Sequence, residues 1–386
     1  MRIALFTPFS PDIGGGSIQL RSLLPQLAEF DIDWYYLASA KAASGVGTWL
    51  GPQLMGGPLL EDLSRASRLW LRGTSRRIRE IAAHMDADLY WVVAMNEGVL
   101  VALELSASGK PVHLTIHDDP VSVFQRSTRY RLLSPLMARS FSQLLRSARS
   151  VDVISHGMRD FYREKFGVES LVVYRFVQGL PRLKDNVIGR DVLRVGHIGI
   201  IYSAHQFEEF VEALRAHGRN LGMPVKLVKI GRSREFEKVQ EVHPDLVEDL
   251  GELPEKAAIE ELSKCNFLYS MYPDLPRFEV FRRTSQPMKL STYIQAQRPI
   301  FAHTPEDSTL AAAVRKYRIG FVCPSSDRQG IGVALKALHQ LEEVPRERFE
   351  QARTELLGIA QVRALENTLR SSGMPFFEKR PTSLVS

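Results

Sequence analysis

The sequence predicts an α/β protein made of two doubly wound, parallel-sheet domains in tandem. Three observations predict it. Eleven short runs rich in Ile, Val and Tyr alternate with stretches of helical period along nearly the whole chain, a pattern that folds as parallel sheets covered on both faces. The alternation occurs twice, and the polar segment from Gly179 to Asp191, punctuated by Gly and Pro, reads as a linker between the two series. The length of 386 residues exceeds what one hydrophobic core usually organises. The expected domains are therefore 1–185 and 186–386, with the C-terminal helical segment a candidate for return to the first domain.

The first run, RIALFT (Arg2 to Thr7), is apolar at four consecutive positions, as a strand buried on both faces must be. The loop TPFSPDIGGGS follows it and leads into the helical IQLRSLLPQL, with Ser17 placed to cap that helix. Next come WYYLA (Trp34 to Ala38), LYWVVA (Leu89 to Ala94), VHLTI (Val112 to Ile116), VDVIS (Val151 to Ser155) and LVVY (Leu171 to Tyr174), all β-branched or aromatic in composition. The second series is RVGHIGII (Arg194 to Ile201), VKLVKIG (Val225 to Gly231), NFLYSMY (Asn266 to Tyr272), PIFAH (Pro299 to His303) and GFVC (Gly320 to Cys323). Two such domains place ligands at the carboxyl ends of their strands, in the cleft between them.

Composition narrows the class. With 44% hydrophobic and 24% charged residues the chain is globular, and no run reaches the length of a membrane span. The opening MRIALFTPFSPD is too short an apolar run for a signal peptide, so a cytoplasmic location is expected. Cys265 and Cys323 are the two cysteines, without metal-ligand spacing, which argues against a disulfide framework or a zinc site. A formal charge of +6 favours anionic partners.

Three candidate sites lie at strand ends. Gly14, Gly15 and Gly16 permit close backbone approach and form either an anion cradle or a simple turn. His117 and Asp118 leave the end of VHLTI, with Asp119 before a proline; the His and the two acids read as a reacting centre or as structural and capping groups. The third is RRTSQPMKLSTYIQAQRPIFAH, Arg282 to His303. Pro287 suits a first helical turn and Ser285 or Gln286 a cap, which leaves the amides of Met288 and Lys289 free to bind phosphate, with Arg282, Arg283 and Lys289 supplying charge. The other reading is a solvated basic loop before an amphipathic helix that turns Leu290, Tyr293 and Ile294 inward.

In the order and spacing of RIALFTPFSPDIGGGS, LTIHDDP, VDVISHGMRDFYREKFGV, RVGHIGIIYSAHQFEEFVEAL, EDLGELPEKAAIEEL and PMKLSTYIQAQRPIFAH, the chain resembles the retaining nucleotide-sugar glycosyltransferases of the GT-B fold, family 4 type. The resemblance implies two Rossmann-like domains facing each other across a cleft, an N-terminal acceptor domain and a C-terminal donor domain. It implies hexosyl transfer in polysaccharide, glycolipid or glycoconjugate biosynthesis, with a nucleotide sugar as substrate, no cofactor and no obligatory metal. Carried over by position, Gly14 to Gly16 approach the donor phosphates, His117 supports the sugar, and Gly199 with Ile200 lies beside the diphosphate. Arg232 follows the next strand, and Glu252, Leu253 and Pro254 lie where the base is held.

The sequence departs from the family at three places. The two glutamates spaced eight apart, one for the sugar and one for the ribose, are Thr284 and Thr292 here, and the usual glycine is Gln297. Ser203, His205 and Gln206 stand where an Arg and Lys pair is frequent, and Glu279 is a candidate substitute carboxylate. A catalytically silent GT-B-like binding protein and a GT-B sugar-nucleotide epimerase are the alternatives these departures leave.

Two arginine-rich stretches lie in the first half. Arg65, Arg68, Arg72, Arg76, Arg77 and Arg79 are interspersed with Leu69, Trp70, Leu71 and Ile78, while Arg126, Arg129, Arg131, Arg139, Arg146 and Arg149 occupy a stretch without an acidic residue. They read as an anionic membrane surface contact beside a carbohydrate or lipid-linked acceptor, or as ordinary solvated helix faces. The chain lacks RNA-binding aromatic motifs and a helix-turn-helix signature, so no nucleic-acid partner is expected.

Overall fold

The structure, a computed structural model, describes residues 1–56, 58–72, 75–183, 191–340 and 343–374. Thirteen strands form two sheets among these residues. In chain order they are β1 (Arg2–Thr7), β2 (Asp31–Tyr36), β3 (Thr48–Trp49), β4 (Leu89–Val93), β5 (Val112–Ile116), β6 (Ser150–Val153), β7 (Leu171–Val172), β8 (Leu193–Ile198), β9 (Val225–Ile230), β10 (Val247–Asp249), β11 (Phe267–Met271), β12 (Ile300–His303) and β13 (Gly320–Cys323). The first sheet runs β3-β2-β1-β4-β5-β6-β7 and the second β10-β9-β8-β11-β12-β13. Every pairing is parallel. In each sheet the order reverses beside the first strand of its series, and that switch point opens a crevice at the strands' carboxyl ends.

Parallel strands need crossover helices, which cover both faces, so the central strands carry no solvent-facing side. β4, β5 and β11 are buried at every position. This includes polar residues: His113 and Thr115 on β5 both hydrogen-bond the buried Asp152 carboxylate on β6, at 2.7 and 2.6 Å. The final helix, Ile359–Gly373, lies against the first sheet, where Val362, Leu365 and Leu369 join Leu5, Trp91 and Val173 in one core. Of the linker expected from Gly179 to Asp191, residues 184–190 lie outside the described residues.

The two sheets are held in one arrangement behind the cleft. The Ser155 hydroxyl donates to the Thr284 carbonyl, and the Tyr174 hydroxyl to that of Pro287. Gly157 sits so close to the chain at Arg283 that a Cβ there would overlap the Arg283 carbonyl oxygen. These contacts place the last turn of one domain's helix on the first turn of the other's.

Candidate active site

A cavity of about 1030 Å³ lies where the carboxyl ends of both sets of strands meet. Its first wall is the loop after β1. Gly14 has φ +94°, a region that side chains rarely enter, and begins the helix Gly15–Leu23 without a side-chain cap. Ser17, expected to cap, instead donates to the carbonyls of Ser10 and Ile13, so the helix amides remain available to a ligand. Gly16 is required by its neighbour: a Cβ there would stand 2.5 Å from His117 Nδ1.

His117 and Asp118 both line the cavity. Nδ1 of His117 faces the glycine loop, while Nε2 is buried without a hydrogen-bond partner among the described residues. Burial pushes the ring down to about 4, with the Asp152 charge acting the other way, so the imidazole is neutral near pH 7. Burial also raises Asp118, opposed by the Arg126 guanidinium and a hydrogen bond with Ser285. Asp119 is structural: it caps the helix Pro120–Arg126 by accepting from the Ser122 amide at 2.6 Å and also accepts from the Tyr162 hydroxyl.

The second wall is built by β8 and the helix Lys289–Ala296. Gly199 turns the chain at φ +82°, its amide donating to Ile230, and exposes Ile200 and Tyr202 to the cavity. Lys289 Nζ donates to the Ile200 carbonyl at 3.0 Å, stands 3.4 Å from His197 Nε2 and lies 5.8 Å from the Tyr202 ring centre. Among the described residues no carboxylate forms an ion pair with it. Desolvation pushes its ammonium down to about 7, an ordinary value of 10.5 otherwise. Helix and strand order explain the position: Leu290, Tyr293 and Ile294 are fully buried, which turns Lys289 and Thr292 to the cavity side.

Ser285, Met288 and Leu253 also line the cavity, but Arg232, Glu252, Pro254, Arg282, Arg283 and Thr284 do not. Arg282 and Arg283 fall in the last turn of a separate short helix, Glu279–Thr284, where cations complement the helix carboxyl end. Arg282 pairs with Asp307 at 2.8 Å and Arg283 with Glu279 at 3.2 Å, which points both away from the cleft. This also occupies Glu279, the candidate substitute carboxylate. Thr284 is buried, its hydroxyl donating to the Val280 carbonyl. Arg232 and Glu252 pair with each other at 3.1 Å on the surface. The helix itself starts two residues after Pro287, with Met288 rather than Ser285 or Gln286 at its cap and no side-chain cap bond.

Sequence reasoning missed Arg175 and Glu255. Arg175 is 8% exposed, lines the cavity, donates to Ser291 Oγ and forms an ion pair with Glu255. An arginine three residues beyond the short apolar strand β7 carries no pattern that marks it. Among the described residues no group of three or more His, Cys, Asp and Glu side chains is placed to hold a metal ion.

No family model matches the sequence, and no curated protein matches it. Solved structures do match in shape. Sucrose-phosphate synthase from Thermosynechococcus elongatus superposes with a TM-score of 0.69 at 14% identity, over 96% of this chain and 98% of that one. The chain has the GT-B fold. The lipopolysaccharide outer core galactosyltransferase WaaB is similar over 96% of this chain and 99% of its own, at 10% identity and a TM-score of 0.62. A UDP-N-acetylglucosamine 2-epimerase-like structure from Listeria monocytogenes matches over 94% of both chains, at 12% identity and a TM-score of 0.56. Within the GT-B frame the cavity is the interdomain cleft, walled by the glycine loop on one side and Lys289 on the other.

Proposed function

We propose that this chain is a glycosyltransferase that moves a hexosyl group from a nucleoside-diphosphate sugar to a carbohydrate or lipid-linked acceptor, with retention and without an obligatory metal. The observation that carries the proposal is the placement of Lys289: a partly buried amine with no carboxylate ion-pair partner among the described residues, at the start of a helix that lines the cleft of a GT-B fold. A cation so placed is costly unless an anion meets it, and a diphosphate is the anion that also uses the helix amides. Structural neighbours named as a sucrose-phosphate synthase and a galactosyltransferase support the same reading.

In the reaction the bond from the anomeric carbon to the diphosphate oxygen breaks and a bond to the acceptor oxygen forms. The acceptor's proton passes to the leaving phosphate, whose growing charge Lys289 and the glycine-loop amides stabilise; one such donor is worth roughly a hundredfold in rate. Neutral His117 is a hydrogen-bond partner for a sugar hydroxyl, and Asp118 lies beside it. Thr292 faces the donor where the family carries a carboxylate, so ribose recognition differs from the commonest pattern. The reading places the protein in the cytoplasm, as an enzyme of glycoconjugate synthesis that meets lipid-linked acceptors at the membrane face.

A thermal-shift screen of nucleotide sugars tests this, because a true donor raises the melting temperature with its occupancy. Turnover with acceptor, followed by the anomeric configuration of the product, then tests transfer and retention. One observation favours a second reading, sugar-nucleotide epimerisation: an epimerase-like structure is among the neighbours. Conversion of donor in the absence of any acceptor selects it, and binding without any turnover selects a silent scaffold.

A further inference from the structure

The basic excess of the chain is concentrated in two stretches of the first domain. Residues 59–83 and 120–150 hold twelve arginines against the three acids Glu61, Asp62 and Glu80, more than the whole chain's net charge of +6. The helix Leu59–Arg72 turns Asp62, Ala66, Leu69 and Trp70 into the protein. Its other face carries Arg65 and Arg68 between Leu60 and Leu71, which are 81% and 71% exposed. Eleven residues of helix set these leucines about 16 Å apart.

Leu132, 88% exposed and next to exposed Arg131, belongs to the same region. The buried Asp62 carboxylate accepts from Arg129 Nη1 at 2.8 Å, from the Tyr130 hydroxyl and from the Gly56 amide. That clamp fixes the arginine-rich helix against the turn that carries Leu132. Three large apolar side chains offered to water within a field of arginines are poorly explained as a solvated helix face, which would expose polar tips only. An anionic bilayer satisfies both chemistries, taking leucines into its interface and arginines among its headgroups.

We infer that this surface docks the protein on an anionic lipid membrane, with Leu60, Leu71 and Leu132 entering the interface and Arg65, Arg68 and Arg131 held by headgroup phosphates. The inference extends the reading of a lipid-linked acceptor, and its test does not involve turnover. The route from surface to cleft is short: the segment that lines the cavity at Asp118 continues through Pro120–Arg126 to Leu132, so docking brings the acceptor side of the cleft close to the bilayer. Among the described residues no helix is long and apolar enough to cross a membrane. Docking is therefore peripheral and reversible by salt.

Sedimentation with vesicles of mixed phosphatidylcholine and phosphatidylglycerol, and with vesicles of phosphatidylcholine alone, tests the inference. Binding to the mixed vesicles at low salt and release at high salt are expected. Replacing all three leucines by Ser should lower partitioning at least about tenfold at an unchanged melting temperature. Each of Arg65→Gln, Arg68→Gln and Arg131→Gln should lower it about fivefold. Equal binding to the uncharged vesicles, binding to neither, or full retention by the leucine variant overturns it. Salt-sensitive retention on duplex DNA by wild type and leucine variant alike, without preference for the mixed vesicles, assigns the surface to nucleic acid and likewise overturns it.

Discussion

If Lys289 receives a diphosphate, binding must take up a proton. In the free protein desolvation holds the ammonium at about 7, so at pH 8.5 about 3% of it is charged. A phosphate charge about 4 Å away, at an effective dielectric near 20, is worth about 4 kcal/mol, or about three pKa units, and returns the group to about 10. A nucleoside diphosphate should therefore bind at pH 8.5 with uptake of nearly one proton, and its association constant should fall close to tenfold per pH unit between about 7.5 and 9.5. This window lies above the terminal phosphate's own protonation near 6. Calorimetry in buffers of different ionisation enthalpy measures the uptake directly. The nucleoside alone should show neither effect, and Lys289→Met should abolish both. Stability supplies an independent readout. Because the folded value lies below the unfolded one, the unfolded chain holds the extra proton between about 7 and 10.5, and stability rises with pH across that window. Below 7 the full cost is present, at most about 4 to 5 kcal/mol, so Lys289→Met should raise the melting temperature at pH 7 and lose that advantage near pH 10.5. No proton uptake at pH 8.5, together with a flat affinity profile, refutes the phosphate assignment.

Three further outcomes follow from the same geometry. His117→Ala should cut turnover strongly and leave donor affinity nearly intact, as steady-state kinetics beside calorimetry will show. Because burial holds that ring at about 4, its share of stability is lost as pH falls from about 6.5 to 4, and the variant should soften that acid limb in a melting-temperature series. Gly16→Ala should displace the His117 ring, whose Nδ1 would stand 2.5 Å from the new methyl, and reduce turnover; Gly14→Ala has open space but should cost about 1 to 3 kcal/mol through its φ of +94°, measurable by denaturation. Gly157→Ala should push the helix at Arg283 away and loosen the two domains, seen as a larger radius of gyration in solution scattering; an unchanged radius counts against a fixed interface.

Much of this fold was legible because buried parallel strands leave continuous apolar runs, and β1, β5 and β13 match their expected bounds residue for residue. The misses are edges. β3 and β10 are Thr48–Trp49 and Val247–Asp249, two and three residues long, and neither has an apolar run because an edge strand is held by its neighbour rather than by burial. β2 begins at Asp31, within the polar DID, because those residues pair in register with Arg2 to Ala4. The site was legible where backbone geometry dictates residue type, at Gly14, Gly16 and Gly199, and where a helix face fixes direction, at Lys289. It was not legible where two readings share one composition. RRT reads equally as an approach to the next helix or as the end of a previous one, and only the contacts with Asp307 and Glu279 decide. Gln297 shows the converse case. It takes a left-handed conformation, φ +53°, of the kind that favours the glycine expected there from the resemblance, and its side chain bonds the Pro181 carbonyl and Arg346, contacts a glycine lacks.

The glutamates expected from the resemblance, and absent at 284 and 292, have a physical counterpart in Lys289. Thr284 is buried outside the cavity lining, its hydroxyl bonded back to the Val280 carbonyl, whereas Thr292 lies one turn beyond Lys289 on the cavity side of the same helix. A glutamate at 292 would stand three residues from Lys289 and answer its charge before any ligand arrived. The lysine and the threonine thus depend on each other: with no carboxylate paired to it among the described residues, Lys289 is left for the diphosphate to neutralise. Thr292→Glu should therefore raise Lys289 toward its ordinary 10.5, remove most of the proton uptake on binding at pH 8.5 and weaken the diphosphate about tenfold or more, while the nucleoside changes little. If proton uptake persists undiminished in that variant, Lys289 and position 292 are not coupled, and the threonine needs another explanation.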